Sequence, residues 1–379
     1  MASRPQLAGV DRRPSLPLAA ALVAASLFAL FDLSTIAEVV TRHPAIADFG
    51  LYYTAARVGA AHGWAAVYDP GAFFPALHAL GRRDWSPYLN PPILAWLVLP
   101  LSWLPYGPAF ALWLSLTSGA LVLTWWLAAP GGRAARVTHL AAAVALFPMT
   151  MALYHGQALL VVLAAVAVAA WLLRRGHDVW AGLALGALWL KPQTALLVPL
   201  ALLVAGRWKA TAAFAAVTLA LAVAVVLALG PEGTLRYIDA LRTLQIPSAT
   251  SYLTALLGPV LARPVEVAFA CLALVAAWRG RARRIDFPIA AALVGSLLAS
   301  PYGNEYDLAA LVLAAWLLLR AGATVQQALL MMAGYLAAEF VNVIGPGPAL
   351  VFETVLMISL LSPREDAVPP RASTVSVRS

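Results

Sequence analysis

The side chains in this sequence that could do chemistry are few, and they lie between or at the ends of long apolar segments. The stretch HPAIADFGLYYTAARVGAAHGWAAVYDP, residues 43–70, collects carboxylates, tyrosines, an arginine and histidines. Short polar groups follow later in the chain, at YHGQ (154–157), LKPQ (190–193) and SPYGNEYD (300–307). A carboxylate can act as a general base, and lysine, arginine or histidine can stabilise a departing anion. These residue types are suited to proton transfer beside an anionic leaving group.

The composition places these residues in a membrane. The chain has 379 residues, of which 62% are hydrophobic and only 11% charged, with a mean hydropathy of +0.83. A soluble domain carries about 45–50% apolar and about 25% charged residues. One core in water cannot hide this much apolar surface, so the sequence predicts an integral membrane protein.

Charge and cysteine content exclude other classes of site. The net charge is +8, but 23 of the 25 basic residues are Arg. Many of them stand in short clusters beside apolar segments, which is typical of topology signals and not of nucleic-acid binding. Cys271 is the only cysteine, so a disulfide framework is excluded. The sequence also has no phosphate-binding glycine loop, zinc motif or nucleophile elbow, and we expect no metal and no cofactor.

The elements that position the polar groups are predicted to be membrane helices. Backbone groups in lipid must be satisfied inside a helix or a closed barrel, and the apolar segments lack the period-two alternation of barrel strands. The expected fold is therefore all-α and polytopic, with about eleven to thirteen membrane helices. The predicted helices are 16–37, 92–104, 109–128, 137–153, 158–173, 179–190, 194–205, 212–229, 265–278, 285–298, 308–319, 325–343 and 348–361.

Arginine placement predicts the orientation. The clusters at Arg12, Arg133, Arg174, Arg207, Arg279 and Arg364 are expected in the cytoplasm. Residues 1–15 then form a cytoplasmic segment, 16–361 a transmembrane domain, and 362–379 a flexible cytoplasmic tail. Residues 38–90 become a large first extracytoplasmic loop. An uncleaved first helix is favoured over a signal peptide, and the proline-rich segment 92–104 is expected to be re-entrant or broken.

On this topology the candidate site residues gather at the outer membrane surface. Each also has a simpler interpretation: Asp48 as a helix N-cap, Asp69 as a turn residue, and the tyrosines as interfacial aromatics. Lys191 is either a snorkelling lysine or a site residue. Glu339 and Glu353, in later spans, are expected to cap or pair locally. The candidates are Asp48, Tyr52, Tyr53, Arg57, Asp69, His155, Gln157, Lys191, Gln193, Tyr302, Asn304, Glu305 and Asp307.

The order and spacing of several segments resemble glycosyltransferase family 87. The segments are ADFGLYYTAARVGAAHGWAAVYDP, NPPILAWLVLPLSWLP, the run from FPMTMALYHGQ to LKPQTALLVPL, and SPYGNEYDLAALVLA. Characterised members of that family include mannosyltransferases that use polyprenol-phosphate-mannose. The resemblance implies a GT-C-like membrane enzyme whose first outer loop carries the catalytic carboxylate, a position that Asp48 matches. The sequence departs from the family at 300–307, where a histidine-containing stretch is common and Asn304 or Glu305 stands instead.

The resemblance implies transfer of a hexose, most often mannose, at the outer face of the plasma membrane. The partners are a polyprenyl-phosphate-linked sugar donor, a glycolipid or glycan acceptor, and membrane lipids, with no nucleic acid. Asp48 is the expected general base of an inverting single displacement. Arg57, Lys191 and His155 are candidates to face the leaving phosphate, and Tyr52, Tyr53, Gln157, Gln193, Tyr302, Asn304 and Glu305 complete the predicted binding residues.

Two other functions remain open at this point. A transporter or flippase of a lipid-linked sugar would also have many helices, although transport sites usually lie at the bilayer midplane between repeats. A non-catalytic subunit of an envelope-polysaccharide assembly would use the outer loop only to bind a partner.

Overall fold

The computed structural model describes residues 16–42, 47–82, 84–242 and 252–362. Within those ranges the regular structure is entirely helical, without a strand. The all-α prediction is therefore confirmed. The predicted N-terminal segment 1–15 and the tail beyond residue 362 lie outside the described residues.

The helices coincide with the apolar segments. Short 3₁₀ turns continue or link several of them, at Trp64–Tyr68, Leu99–Trp103, Leu185–Leu190, Pro192–Thr194 and Glu305–Ala309. The α-helices are α1 (Leu16–Arg42), α2 (Phe49–His62), α3 (Pro70–His78), α4 (Pro92–Val98), α5 (Tyr106–Ala128), α6 (Arg133–Val144), α7 (Phe147–Tyr154), α8 (Leu159–Leu173), α9 (Asp178–Ala184), α10 (Val198–Val204), α11 (Trp208–Arg242), α12 (Tyr252–Arg279), α13 (Asp286–Leu298), α14 (Ala310–Arg320), α15 (Val325–Glu339), α16 (Val341–Ile344) and α17 (Gly347–Leu361).

Three of the described helices are long and apolar enough to cross a membrane alone: Tyr106–Ala128, Trp208–Arg242 and Val260–Arg279. The pair α6 and α7, bent by 66°, makes a fourth if it counts as one span. The fold is that of a polytopic membrane protein, and the predicted number of eleven to thirteen membrane helices stays a prediction. The apolar helix Pro92–Trp103 rises only about 18 Å, too short for a hydrocarbon core of about 30 Å.

Two different groups of polar residues lie at opposite ends of the helices α5, α8, α13 and α14. At one end Asp286 is fully buried and its Oδ1 lies 2.5 Å from Arg174 Nη1. Arg284 and Arg320 approach the same carboxylate at 3.7 and 3.8 Å. The other ends of α8, α13 and α14 lead to the polar segments 154–157 and 300–307. Since α8 has 15 residues, the two ends are about 22 Å apart along its axis.

An aromatic cluster fixes α2 against the start of α5. Phe49 is completely buried, and its ring lies 5.5 Å from that of Phe110 and 5.7 Å from that of Trp113, centroid to centroid. The rings of Tyr53 and Tyr106 meet edge to face at 5.3 Å. Such pairs contribute about 0.5–1.5 kcal/mol each beyond the apolar area they bury. This packing determines where Asp48, the residue before α2, can lie.

Gly156 packs against the same cluster. Its φ of +63° lies in the left-handed region, and a Cβ at this position would lie 3.1 Å from side-chain carbons of Phe110 and Trp113. The indole N–H of Trp113 donates a hydrogen bond of 2.7 Å to the carbonyl oxygen of Gly156. Both the backbone conformation and the space therefore require glycine.

We expect Gly156→Ala to destabilise the protein more than Gly176→Ala. Gly176 also has a positive φ, +79°, but a Cβ there meets nothing within 4 Å. The left-handed conformation costs an alanine roughly 1–2 kcal/mol at either position. Crowding adds about 1–3 kcal/mol at Gly156 only. Thermal unfolding of both variants in one detergent measures the difference, and equal losses would show that the aromatic cluster does not confine residue 156.

Candidate active site

Asp48 precedes α2, but its side chain makes no capping hydrogen bond to that helix. Its Oδ2 instead accepts hydrogen bonds from the amide Nε2 of Gln157 and from the hydroxyl of Tyr306, the latter at 3.4 Å. Its Oδ1 lies 3.6 Å from Nδ1 of His155, and one quarter of the side chain is exposed. The N-cap interpretation therefore does not account for this carboxylate, which belongs to a partly open polar cluster.

Gln157 joins Asp48 to a buried cation. While its amide nitrogen donates to Asp48, its Oε1 accepts hydrogen bonds from Lys191 Nζ at 3.2 Å and from the hydroxyl of Tyr52 at 3.4 Å. Gln157 is 2% exposed. An amide has both donors and an acceptor, so one side chain can satisfy an anion and a cation at once.

The turn between α7 and α8 is tied directly to the start of α2. The backbone N–H of Phe49 donates to the carbonyl oxygen of His155 at 3.2 Å, and the N–H of Gln157 donates to that of Ala152 at 2.8 Å. These bonds use amides at a helix start and carbonyls at a helix end that would otherwise be unpaired. As a result, the chain segment that carries Asp48 is hydrogen-bonded directly to the turn that carries Gln157.

Lys191 and Asp307 form a buried ion pair. Lys191 Nζ lies 2.5 Å from Asp307 Oδ1, and the two side chains are 6% and 4% exposed. The ammonium nitrogen also lies 4.2 Å from the centroid of the Tyr306 ring, a cation–π contact. Lys191 is placed there by the break before Pro192, where the 3₁₀ turn Leu185–Leu190 ends. The snorkelling interpretation of Lys191 does not describe this geometry.

The segment 300–307 adds a chain of hydrogen bonds to the cluster. The amide Nδ2 of Asn304 donates to the hydroxyl of Tyr306 at 2.6 Å and to that of Tyr302 at 3.2 Å. The backbone N–H of Asn304 donates to Asp307 Oδ2 at 2.9 Å. One turn thus orients Tyr306 towards Asp48 and Asp307 towards Lys191.

The two tyrosines beside the site carry protonated hydroxyls at neutral pH. Burial raises the pKa of Tyr52 and of Tyr306 well above the usual phenol value, and the negative charge of Asp48 raises both further. A protonated Tyr306 can donate to Asp48 while it accepts from Asn304. Tyr306 therefore donates a hydrogen bond to the carboxylate of Asp48 and Tyr52 donates one to Gln157, and neither acts as a proton acceptor.

Arg82 supports the other side of Asp48. Its Nη1 donates to the carbonyl oxygen of Ala47 at 2.8 Å, while Nε and Nη2 bind the carboxylate of Asp84 at 2.8 and 2.7 Å. The hydrogen bond from Arg82 holds the pKa of Asp84 well below its usual range. This arginine fixes the backbone next to Asp48 without contacting the carboxylate itself.

A family model described as glycosyltransferase family 87 matches residues 88–301, which are 214 of the 379 residues. The chain belongs to glycosyltransferase family 87. No curated protein and no solved structure gives a significant match. The family membership makes the protein a membrane glycosyltransferase. The matched range includes Gln157 and Lys191, whereas Asp48 and Asp307 lie outside it.

Four of the predicted binding residues of this glycosyltransferase do not contact the cluster. The hydroxyl of Tyr53 donates to the carbonyl oxygen of Leu104 at 2.7 Å. Arg57 is exposed and stands over the Tyr53 ring at 5.8 Å, and Gln193 faces a separate cavity beyond Asp307. Glu305 is half-buried, with no ion pair or hydrogen bond among the described residues. Their roles in binding stay predictions.

Tyr306 is a site neighbour that the sequence reasoning missed, and Asp307 was not placed among the binding residues. A signal for Asp307 was present: an isolated lysine in an apolar segment needs a counter-charge, and Asp307 begins another apolar segment. Tyr306 has no comparable signal, because only the turn from Asn304 to Asp307 aims its hydroxyl at Asp48. Among the described residues, no group of three His, Cys, Asp or Glu side chains could hold a metal ion.

We expect the buried pair to show strong energetic coupling. Lys191→Met and Asp307→Leu each leave an unpaired buried charge, which costs about 3–5 kcal/mol, whereas the double variant removes both charges. The double variant should therefore be destabilised by much less than the sum of the single variants.

Thermal unfolding of the three variants measures this coupling. The exposed pair Arg236 and Glu232, 2.6 Å apart, serves as the control, and its coupling should be below about 1 kcal/mol. Additive losses at residues 191 and 307 would mean that the two groups do not depend on each other.

Proposed function

We propose that this glycosyltransferase moves a hexose from a polyprenyl-phosphate sugar to a glycolipid or glycan acceptor, with Asp48 as the general base. The observation that carries the proposal is the geometry around Asp48. A partly exposed carboxylate, not used for capping, lies one glutamine away from a buried lysine. A proton acceptor and a cation that are bridged by one side chain are suited to a reaction that takes a proton from one group and releases an anion from another.

The proposed reaction is a single displacement. The acceptor hydroxyl oxygen attacks the anomeric carbon, and its proton passes to the carboxylate of Asp48. The bond between the anomeric carbon and the phosphate oxygen breaks, and its electron pair leaves with the lipid phosphate. Attack opposite to the leaving group inverts the anomeric carbon, through a transition state with oxocarbenium character.

The hydrogen bonds of Asp48 support a base at one particular oxygen. Oδ2 already accepts from Gln157 and Tyr306, while the polar contact of Oδ1 among the described residues is His155, at 3.6 Å. Oδ1 is therefore the oxygen that we assign to the acceptor proton. The two donors on Oδ2 hold the carboxylate in one orientation, and fixed donors require no reorganisation during the reaction.

Lys191 is the cation that we assign to the leaving phosphate. Asp307, Gln157 and the Tyr306 ring hold its ammonium group in place from three sides. A charge in a site with little water acts more strongly on developing charge than one in bulk water. Arg57 is less suited to this role, because it is exposed and faces Tyr53.

An open groove with an apolar lining supports a lipid donor. It lies among α6, α13, α14, α15 and α17, and it reaches Leu308, the residue after Asp307. Apolar lining of this kind is suited to an isoprenoid chain. Its lining includes Leu146, Leu311, Trp316, Met331, Phe352 and Leu356.

The site is proposed to face the extracytoplasmic side of the plasma membrane. The cluster of Arg174, Arg284 and Arg320 lies at the opposite ends of the same helices. Arginine-rich ends are retained in the cytoplasm during membrane insertion. The site end would then meet acceptors outside the cell.

Asp48→Asn should reduce sugar transfer by at least about 10²-fold, because it removes the proton acceptor but keeps the shape of the side chain. The measurement is mass spectrometry of envelope glycolipids and polysaccharides from a strain that lacks the gene and carries the variant. Asp69→Asn is the matched control in the same segment, since Asp69 caps α3 and pairs with Arg236 away from the cluster. Near-normal products from a well-inserted Asp48→Asn protein would rule out the base assignment.

Lys191→Met should weaken binding of a fluorescent short-chain isoprenyl phosphate by about tenfold or more, because a charge-assisted hydrogen bond is lost. The change is measured by equilibrium titration, with Lys191→Met also combined with Asp307→Leu to keep the fold intact. Arg57→Met is the matched control and should leave the affinity unchanged. A loss at Arg57 in place of Lys191 would move the phosphate to the other cation.

A further inference from the structure

Cationic side chains predominate at the end of the molecule opposite to the candidate active site. They stand at or next to the points where α5, α8, α12 and α14 end and where α6, α11 and α13 begin. The described cations at this end are Arg133, Arg136, Arg174, Arg175, Arg207, Lys209, Arg279, Arg281, Arg283, Arg284 and Arg320. The acidic residues described there are Asp178 and Asp286. Membrane orientation accounts for positive charge at one end, but not for the way in which these groups are arranged.

Asp286 gathers three guanidinium groups around one carboxylate. Arg174 is the nearest of them, with its Nη1 2.5 Å from Oδ1, and its Nη2 also donates to the carbonyl oxygen of Leu127 at 3.0 Å. Nε of Arg284 lies 3.7 Å from Oδ2, and Nε of Arg320 lies 3.8 Å from Oδ1. One negative charge does not compensate three positive charges, and guanidinium groups this close repel one another. Asp286 is compensated by Arg174, and the surplus charge lies on Arg284 and Arg320.

Arg284 and Arg320 are accessible to a ligand. Their side chains are 61% and 26% exposed, and their distances to Asp286 are too long for hydrogen bonds. The Nε of Arg320 is buried and has no hydrogen-bond partner within the described residues. A guanidinium group has five N–H donors in a planar fork, which matches the oxygens of a phosphate. The two arginines therefore form a cationic site that lacks a bound anion of its own.

Tryptophans place this site at the level of the lipid head groups. Trp126, Trp180, Trp208 and Trp278 are exposed at the same end of the helices. Exposed tryptophans of membrane proteins gather at the boundary between hydrocarbon and water. The anions that are most concentrated at that boundary are the head groups of acidic lipids.

Apolar side chains next to the arginines favour a lipid over a free phosphate. Leu319, the residue before Arg320, lines the open apolar groove. The helix that follows, α15, begins with Val325 and also carries Leu329, and both of these side chains are exposed. A ligand held by its phosphate at Arg320 would have apolar surface within reach of its acyl chains. A free phosphate would use none of this surface.

The end of the chain is less suited to compensate the arginines. Residues 363–379 lie outside the described structure, and their sequence contains Glu365 and Asp366 together with Arg364, Arg371 and Arg378. Arginines outnumber acidic residues in this segment, so it offers no surplus of negative charge. An anionic phospholipid brings the missing charge and the apolar chains in one molecule.

We infer that Arg284 and Arg320 bind the phosphate of an anionic phospholipid in the leaflet at this end of the molecule. The phosphate oxygens accept hydrogen bonds from the two guanidinium groups, and the acyl chains lie along α14 and α15. Attraction between arginines at the membrane surface and anionic head groups favours such a lipid over a zwitterionic one. The inference does not depend on the sugar that the enzyme transfers.

The test is lipid binding by the purified full-length protein in detergent. The probes are phosphatidylglycerol and phosphatidylcholine with the same fluorescent acyl chains, titrated at equilibrium, and glycerol phosphate as a competitor without acyl chains. The variants are Arg284→Gln, Arg320→Gln, the two combined, and Arg320→Lys, which keeps the charge. Arg207→Gln is the matched control, because Arg207 lies at the same end but has Asp178 as its own counter-charge at 3.6 Å.

Arg284→Gln and Arg320→Gln should each weaken phosphatidylglycerol binding roughly fivefold, with little change for phosphatidylcholine. Arg320→Lys should keep most of the affinity, and Arg207→Gln should bind as the wild type does. Equal losses at Arg207, Arg284 and Arg320 would indicate diffuse attraction to the whole basic end and would overturn the site. Displacement of phosphatidylglycerol by glycerol phosphate would assign the arginines to a free phosphate and overturn the lipid assignment.

Stability gives a second readout that separates binding from structure. Phosphatidylglycerol should raise the melting temperature of the wild type but not that of the double variant, since a ligand stabilises only a protein that binds it. Without lipid the double variant should melt no lower than the wild type, because Arg174 still compensates Asp286. A lower melting temperature with unchanged lipid affinity would give the arginines a structural role alone. Lipid binding that appears only after Glu365→Gln combined with Asp366→Asn would assign the arginines to the end of the chain. Either of these two results overturns the inference.

Discussion

The site depends on one constraint: the ammonium group of Lys191 is buried among apolar helices and must have its charge compensated there. Moving an isolated ion out of water costs several kcal/mol even after relaxation, so the group persists only with close partners. Asp307 supplies the counter-charge at 2.5 Å, and Gln157 and the Tyr306 ring cover the remaining directions. These partners come from two other segments, 154–157 and 300–307, so one charge determines how these polar segments meet Lys191.

The same constraint determines how Asp48 is held. Gln157 has one amide, and because its oxygen is used by Lys191 and Tyr52, its nitrogen is left for a carboxylate. Tyr306 likewise serves two groups, with its ring on Lys191 and its hydroxyl on Asp48. Asp48 and Lys191 are therefore connected through two shared side chains.

Much of the fold follows from the sequence because membrane helices depend on local properties. Apolar length, glycine and proline breaks and arginine clusters predict the helices and the polar end at which Asp48, His155, Gln157, Lys191 and Asn304 meet. The individual pairings could not be obtained this way. Lys191 finds Asp307 more than one hundred residues away, and whether Tyr52 or Tyr53 faces the cluster depends on the packing of Phe49 on α5. Glu339 and Glu353 look alike in sequence, yet only Glu339 finds a backbone N–H to accept from.

The contrast between Glu339 and Glu353 shows that buried polar groups in this apolar protein differ in how far their hydrogen bonds are satisfied. Asp286, fully buried among three arginines, has structural partners and needs no ligand. Lys191 and Asp307 are satisfied by each other, and of the two only Asp307 lines a cavity. Thr194 and Glu353 line a small cavity, and within the described part of the chain their side-chain oxygens have no hydrogen-bond partner. Because the apolar groove reaches Leu308, the residue after Asp307, a lipid in the groove would bring its head group towards the ion pair. Within the described residues the regular structure is entirely helical, which agrees with the proposed lipid-linked donor, since such a donor requires no nucleotide-binding domain.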